Sequence, residues 1–458
     1  MNKRSAIFIP VIFLLLSCSL INLSDQGVVD DLPEETIAVH ISLSALTTSE
    51  PLLCNDPQPA FVLDLEVFQP NDLTEPTARI PFRDPIFGTC LVRVTDRRTD
   101  LSSGDPSGGL KNEYSRVQSF NANDSLIMVR STEANWYLYD AKNFQPFGQV
   151  PIAIDPRWDP VDPAVLYFSA ETRLMKYNVE TGSIQTVHDF ASDFPGYTLV
   201  DVSTRYEGSP SLDGRYWGMM AQDENWEPVA LLVYDMQEDR LIASRDLDNV
   251  HGLDSVTISP LGTYFLAYFD HCESGLGSDN LACGLMVYGR DLQNGRGMVR
   301  AIGHSDLALD AEGREVVVFQ DVDHDTISML DLETGQSIPL YPIDFSFTGI
   351  GLHFSGQSYN MPGWIVVSTH DGDISSHTWM DDQVFALELK ANGRVVHLAH
   401  THSLVDENQE HDYWSEPQAS VNRDFSRVLF TSNWGRSGTD ETEMYIIELP
   451  QNWNQNLP

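Results

Sequence analysis

Side chains able to move protons, hold cations or grip acids recur along this chain at one kind of position, the few residues at or just before a short strand-like run. Glu113, Tyr114, Arg116 and Gln118 form the first such set, followed by Arg157 and Trp158, Tyr206 and Glu207, His251 and Asp254, His304 and Asp306, and His353. The last set is His411, Tyr413, Trp414, Glu416 and Gln418. Imidazoles exchange protons near neutral pH, carboxylate and amide oxygens suit hard cations, and guanidinium groups match acidic ligands. Tyrosine and tryptophan add large faces with a polar handle. These sets lie far apart in sequence, so they can act together only if the fold brings the starts of separate strands to one place.

A repeat does so. A strand, a polar turn and a more apolar strand recur seven times, as "SRVQSFNANDSLIMV" from Ser115, "DPRWDPVDPAVLYFS" from Asp155, "EGSPSLDGRYWGMMA" from Glu207, "DSVTISPLGTYFLAYF" from Asp254, "SDLALDAEGREVVVFQ" from Ser305, "GLHFSGQSYNMPGWIVVST" from Gly351 and "EPQASVNRDFSRVLFTS" from Glu416. Most copies continue into a third and a fourth strand, as in "ALLVYDMQEDRLIAS". A repeated four-stranded antiparallel unit is a propeller blade. The expected fold is therefore all-β, a seven-bladed β-propeller. The last copy ends at "EMYIIEL" with little chain left, and "FRDPIFGTCLVRVTD" from Phe82 is the donor expected to complete its sheet. Pairing the N- and C-terminal strands closes the ring and leaves no long free edge. Innermost strands line the central channel, so the polar and aromatic sets above converge on one mouth. Polar residues in a wet channel also hold water or satisfy backbone groups.

The first residues form a separate element. Lys3 and Arg4 precede an apolar run from Ala6 to Leu16, too short for a stable membrane span and shaped like a secretory signal. Its end, Leu15-Leu16-Ser17-Cys18, resembles the lipobox of bacterial lipoproteins, which implies that Cys18 becomes the lipidated first residue, with the protein at the cell envelope as an outer-membrane or cell-surface lipoprotein. The expected division is a signal over 1–17, a lipid anchor and acidic tether with strand-like runs over 18–80, the propeller over 81–450 and a tail over 451–458. Loss of residues 1–17 removes two cations and no acid, taking the formal charge from −40 to about −42. Such acidity disfavours nucleic acid and anionic lipid as partners, since both need clustered Lys and Arg. Membrane contact is then expected only through the lipid, and the ring is expected to be a monomer.

Beyond Cys18 four cysteines remain, Cys54, Cys90, Cys272 and Cys283, an even count that suggests disulfides in an exported chain. Three connectivities are open. Cys272 and Cys283 flank the loop "ESGLGSDNLA" between two strands of one blade, which favours that bridge, with Cys54 and Cys90 pairing by default.

"FRDPIFGTCLVRVTD" resembles the opening of the oligogalacturonate lyases, a Phe-x-Asp-Pro-x-x-Gly stretch leading into Arg-x-Thr, here Phe82, Asp84, Pro85, Gly88, Arg93 and Thr95. "GHSDLALD" from Gly303 is similar to that family's Gly-His segment, and "EPQASVNRDFSRVLFTSNWG" to its last blade. The resemblance implies a manganese-assisted β-elimination of uronate-containing oligosaccharides, with His304 as a metal ligand. Where the family has a His-Pro-His triplet this chain has Glu416-Pro417-Gln418 and the family's glutamine position falls near Tyr413, so only His304 carries over; the expected set is His304, Glu416 and Gln418, since carboxylate and amide oxygens suit manganese or calcium. The family's base is a histidine entering the fourth blade, for which His251 and His271 are the nearest candidates; His251 is the expected base, with Arg205 or Arg116 as the countercharge to a uronate. The alternative is a non-catalytic surface propeller that binds a glycan or a protein at an aromatic mouth formed by Tyr114, Trp158, Tyr206, Tyr413 and Trp414. No nucleophile elbow, phosphate loop, HExxH or zinc-type cysteine spacing points to another chemistry.

Overall fold

Runs such as "YFLAYF", "EVVVFQ" and "WIVVST" are apolar throughout and too short for a helix, the pattern of a strand buried on both faces. Each becomes the second strand of a blade. The computed structural model describes residues 41, 53–54, 60–247, 250–348, 350–371, 378–405 and 412–457. Cys18, the signal segment and His411 lie outside them.

Six four-stranded antiparallel sheets and one five-stranded sheet make up the seven blades. In chain order the innermost strands of the first six begin at Leu110, Ile154, Leu199, Leu253, Ile302 and Ile350. The seventh sheet runs outward from Ser420–Val421 through Arg427–Ser432 and Glu443–Glu448, then takes Cys90–Arg93 and Phe82–Arg83 from the other end of the chain. Leu91 lies opposite Ile447 and Val92 opposite Ile446, so the two ends share one sheet as the sequence predicts.

The turns form for a local reason. Asp159 Oδ1 accepts from the amides of Val161 and Asp162 at 2.8 and 2.9 Å, and Asp310 Oδ1 accepts from Glu312 and Arg314 at 3.0 and 2.9 Å. These are the side-chain caps that aspartate offers a tight turn. Cores lie between blades. Trp364, Val366, Val396, Val421, Phe430, Tyr445 and Trp453 fill the seam between the sixth and seventh, each buried aliphatic or aromatic side chain contributing about 1.5–3 kcal/mol.

The closing sheet carries a buried ion pair, Arg97 Nη1 to Glu443 at 2.7 Å, with Thr95 Oγ1 donating to the same carboxylate at 2.6 Å. Both expected disulfides are present, Cys54–Cys90 and Cys272–Cys283. The first ties the segment before the ring to the closing strand. Beyond it, residues 60–75 run as a strap over the last two blades: the Val62 carbonyl accepts from the His397 amide at 3.1 Å, the Leu73 carbonyl from Trp434 Nε1 at 2.8 Å, and Glu75 pairs with Arg436 at 3.0 Å. Among the described residues no helix is long and apolar enough to cross a membrane.

Candidate functional site

Antiparallel order puts the start of each first strand and the end of each second strand at the same end of the ring. His304 is the third residue of Ile302–Leu309, and His353 is the fourth of Ile350–Ser355. His370 closes in on the same end from the second strand of the sixth blade, where it lies opposite Gly351. Glu416 and Gln418 lead into the first strand of the seventh blade. These residues meet at one mouth.

The His304 and His353 rings are 4.4 Å apart and those of His353 and His370 6.0 Å. Glu416 reaches both of the latter, with Oε2 3.4 Å from His353 Nε2 and Oε1 3.8 Å from His370 Nε2. Tyr114 stands across the cluster, its hydroxyl 2.9 Å from His304 Nδ1 and its ring edge-on to His353. Gln418, in a left-handed conformation at φ 43°, accepts from Lys111 Nζ at 3.2 Å and directs its nitrogen to Glu416 at 3.5 Å. Its amide therefore orients Glu416 and turns its oxygen toward the lysine.

Burial, the Arg116 charge and His370 pull His304 down to about 3, and burial with the neighbouring imidazoles holds His353 well below its ordinary value. Both rings are neutral at physiological pH, the form in which imidazole is a metal ligand. His353 is buried yet neither ring nitrogen has a hydrogen-bond partner, and His370 Nδ1 also has none. A buried polar atom without a partner costs about 1–3 kcal/mol. Imidazole nitrogens and a carboxylate are donor types that a divalent cation takes, and metal bonds of about 2.0–2.2 Å set neighbouring donors about 3–4 Å apart. Among the described residues no three His, Cys, Asp or Glu side chains already surround a common point. The residue types suit a cation, and of the donor spacings only those from Glu416 to His353 and His370 are of that order.

Below the cluster, Arg116 is buried and held to Glu207 at 2.6 Å, with its guanidinium 4.9 Å from the Tyr268 ring. Burial opposes its charge most strongly, but Glu207 together with Tyr114, Tyr268 and Asp306 outweighs it and keeps the group above its ordinary range. Asp306, which accepts from the amides of Gly356 and Leu307, is pushed up to about 7 by burial. Arg116 is thus matched inside the protein and not open to a ligand. Arg205 lies nearer the surface at φ 59°, with Nη1 donating to the Leu253 carbonyl at 2.8 Å beside Asp254.

The remaining expected residues divide. Tyr413 and Tyr206 are 44% and 42% exposed at the mouth. Trp414 packs on Tyr413 and lies under two cations, Lys111 at 5.1 Å and Arg130 at 5.2 Å. Trp158, expected at the mouth, is a core residue: it is 3% exposed, packs in the seam of the first two blades and donates through Nε1 to the Ser119 carbonyl at 3.0 Å. An irregularity between Ile154 and Arg157 turns it inward. His251 is exposed just before Leu253–Ile258, and no described hydrogen bond, ion pair or ring contact joins it to the histidine cluster. The sequence reading missed His370 and Arg130, since both fall at the ends of second strands, and Lys111, since it lies in a two-residue inner strand ahead of the first repeat copy.

Neither a protein-family model nor a curated protein matches the chain in sequence. Solved structures do match in shape. An oligogalacturonate lyase in complex with manganese superposes at TM-score 0.56 and 16% identity, over 81% of this chain and 96% of that one. The oligogalacturonate lyase from Vibrio parahaemolyticus superposes at TM-score 0.55 and 15% identity, over 81% of this chain and 97% of that one. At such identity the likeness shows the seven-bladed fold.

Proposed function

We propose that this protein acts on carbohydrate, as a divalent-cation-dependent lyase that cleaves uronate-containing oligosaccharides by β-elimination. One observation carries the reading: His353, a buried neutral imidazole with both nitrogens unpartnered, faces Glu416 between two further histidines at the channel mouth. The similarity to a lyase structure holding manganese supports it.

His304, His353, His370 and Glu416 would hold the cation, which corrects the expected set by adding two histidines and moving Gln418 to a supporting place. When bound, the cation neutralises the uronate carboxylate and the negative charge that develops beside it. Tyr114 fixes the orientation of His304 through Nδ1. Arg205 supplies the remaining positive charge at the mouth. An imidazole nitrogen of His251, open to solvent before its strand, takes the proton from the carbon next to the carboxylate. The carbon–oxygen bond on the adjacent carbon breaks as the double bond forms, and the glycosidic oxygen leaves and is protonated. Lipidation at Cys18 places this activity at the cell envelope.

The test is incubation of the soluble form with oligogalacturonate, alginate and ulvan fragments, with and without manganese, following unsaturated product by absorbance and bound metal by elemental analysis. Metal-dependent product that disappears in His353→Ala and Glu416→Gln is expected. Retention of a glycan without product assigns the non-catalytic binding module, and absence of bound metal overturns the cation site.

A further inference from the structure

The third blade presents two aromatic rings that its packing does not explain. Tyr206 follows the strand Leu199–Ser203 and Trp226 caps the hairpin between Tyr216–Asp223 and Pro228–Asp235; they are 42% and 52% exposed. Both have left-handed backbones, φ 75° and 62°. For a bulky L-residue that conformation costs about 1–2 kcal/mol. The corresponding connections of the first, second, fifth and sixth blades also carry a left-handed residue, Ala134, Glu171, Asp325 and Asp382. In the seventh it is Trp434, which unlike Trp226 is packed, with Nε1 donating to the Leu73 carbonyl and its ring stacked on Tyr445. The turn therefore demands only the conformation. Trp226 meets that demand poorly and gains little burial in return.

Both rings stand on fixed backbones. The Trp226 amide donates to the Asp223 carbonyl at 2.8 Å, its carbonyl accepts from Gln222 Nε2 at 2.7 Å, and Asp223 Oδ1 caps Asn225 and Glu227 at 2.9 and 3.1 Å. The Tyr206 phenol lies in the field of Asp201, Asp155, Arg130 and Arg205. The hairpin tip is about one and a half strand spacings outward from the inner strand and about four residues above the Tyr206 turn, a span of about 15 Å. That exceeds one sugar ring.

We propose that Tyr206 and Trp226 form an oligosaccharide-binding shelf, running outward from the mouth along the third blade, that makes the protein selective for chains several sugars long. The inference rests on the carbohydrate reading above. Flat aromatic faces held rigidly in a polar setting stack on the carbon–hydrogen faces of pyranose rings, while Arg205 and Arg130 meet hydroxyl and carboxylate groups. A protein partner of ordinary kind would meet a continuous apolar patch, and here Asp223, Glu224, Asn225 and Glu227 flank Trp226 in the chain.

Calorimetry with galacturonate oligomers from dimer to hexamer tests the shelf on the manganese-loaded full chain. In wild type, affinity should rise about tenfold with length. Trp226→Ala should flatten that rise while leaving dimer affinity and melting temperature unchanged, and Trp226→Phe should restore part of it. Length dependence retained in Trp226→Ala, or dimer binding that never improves with length, overturns the shelf alone. If no oligomer binds to wild type, the carbohydrate reading and the shelf fall together.

Discussion

Acidification should loosen the strap at the buried imidazoles that hold it, His400 against the Phe68 carbonyl at 2.9 Å and His397, and at His397 the size of the effect follows from its surroundings. His397 lies on the outermost strand of the sixth blade, fully buried, with Nε2 2.8 Å from the Asp64 carbonyl and Nδ1 against Gln383. It stacks on Phe87 at 5.1 Å and meets Phe68 and Trp379 edge-on. Burial lowers it to about 4, against the opposing bond to Asp64. The unfolded chain takes up this proton near pH 6.5, so between pH 6.5 and 4 it binds more protons than the folded chain and stability falls as pH falls. A shift of about 2.5 pH units corresponds to about 3 kcal/mol, lost in full below pH 4. Asp306, raised to about 7, has the opposite slope in the same window, because its folded state keeps the proton longer. The effect must therefore be read as a difference. Denaturant unfolding of wild type and His397→Gln from pH 7.5 to 4 should give curves that converge by about 3 kcal/mol, and histidine-specific hydrogen exchange should place His397 near 4. Parallel curves, or a His397 that titrates near 6.5, would refute the argument.

Manganese at about a hundred times its dissociation constant should stabilise wild type by about 2.7 kcal/mol, and leave the thermal transition of His353→Ala unmoved. Paired Cys54→Ser and Cys90→Ser substitutions, opening a loop of 36 residues, should cost about 4 kcal/mol, and the pair at Cys272 and Cys283, 11 residues apart, about 3 kcal/mol; denaturant midpoints measure both. Arg97→Ala leaves Glu443 buried without its partner and should cost about 3–5 kcal/mol, seen as early release of the closing sheet in amide exchange. Expressed in a bacterial host, wild type should enter the detergent phase and Cys18→Ala should remain aqueous.

The ring was legible because its signals are local: an apolar run, an Asp or Asn that caps its own turn, and a second run. The pairing of Leu91 with Ile447 was legible because the last repeat lacked a strand and one segment near the other end could supply it. The site was legible only in part. His304, His353 and Glu416 start inner strands, and strand starts are countable in sequence. His370 comes to them from the end of a second strand by a register opposite Gly351 that only the folded sheet sets. Trp158 failed for the converse reason, since an irregular stretch after Ile154 sends an inner-strand tryptophan into the seam between blades. Trp226 gave no signal, because a hairpin tip is silent until its exposure and backbone conformation are known.

The Cys54–Cys90 bridge also has a mechanical meaning. Tension applied to the chain ahead of Cys54 passes covalently to Cys90, within a strand bonded on one side to Glu443–Glu448 and on the other to Phe82–Arg83. The load bypasses residues 55–89, so the strap and its contacts to His397, Trp434 and Arg436 carry none of it. What resists is a strand held on both flanks inside a closed ring. A pull from that side would therefore reach the ring only through its closing sheet, while the blades around the channel mouth keep their spacing.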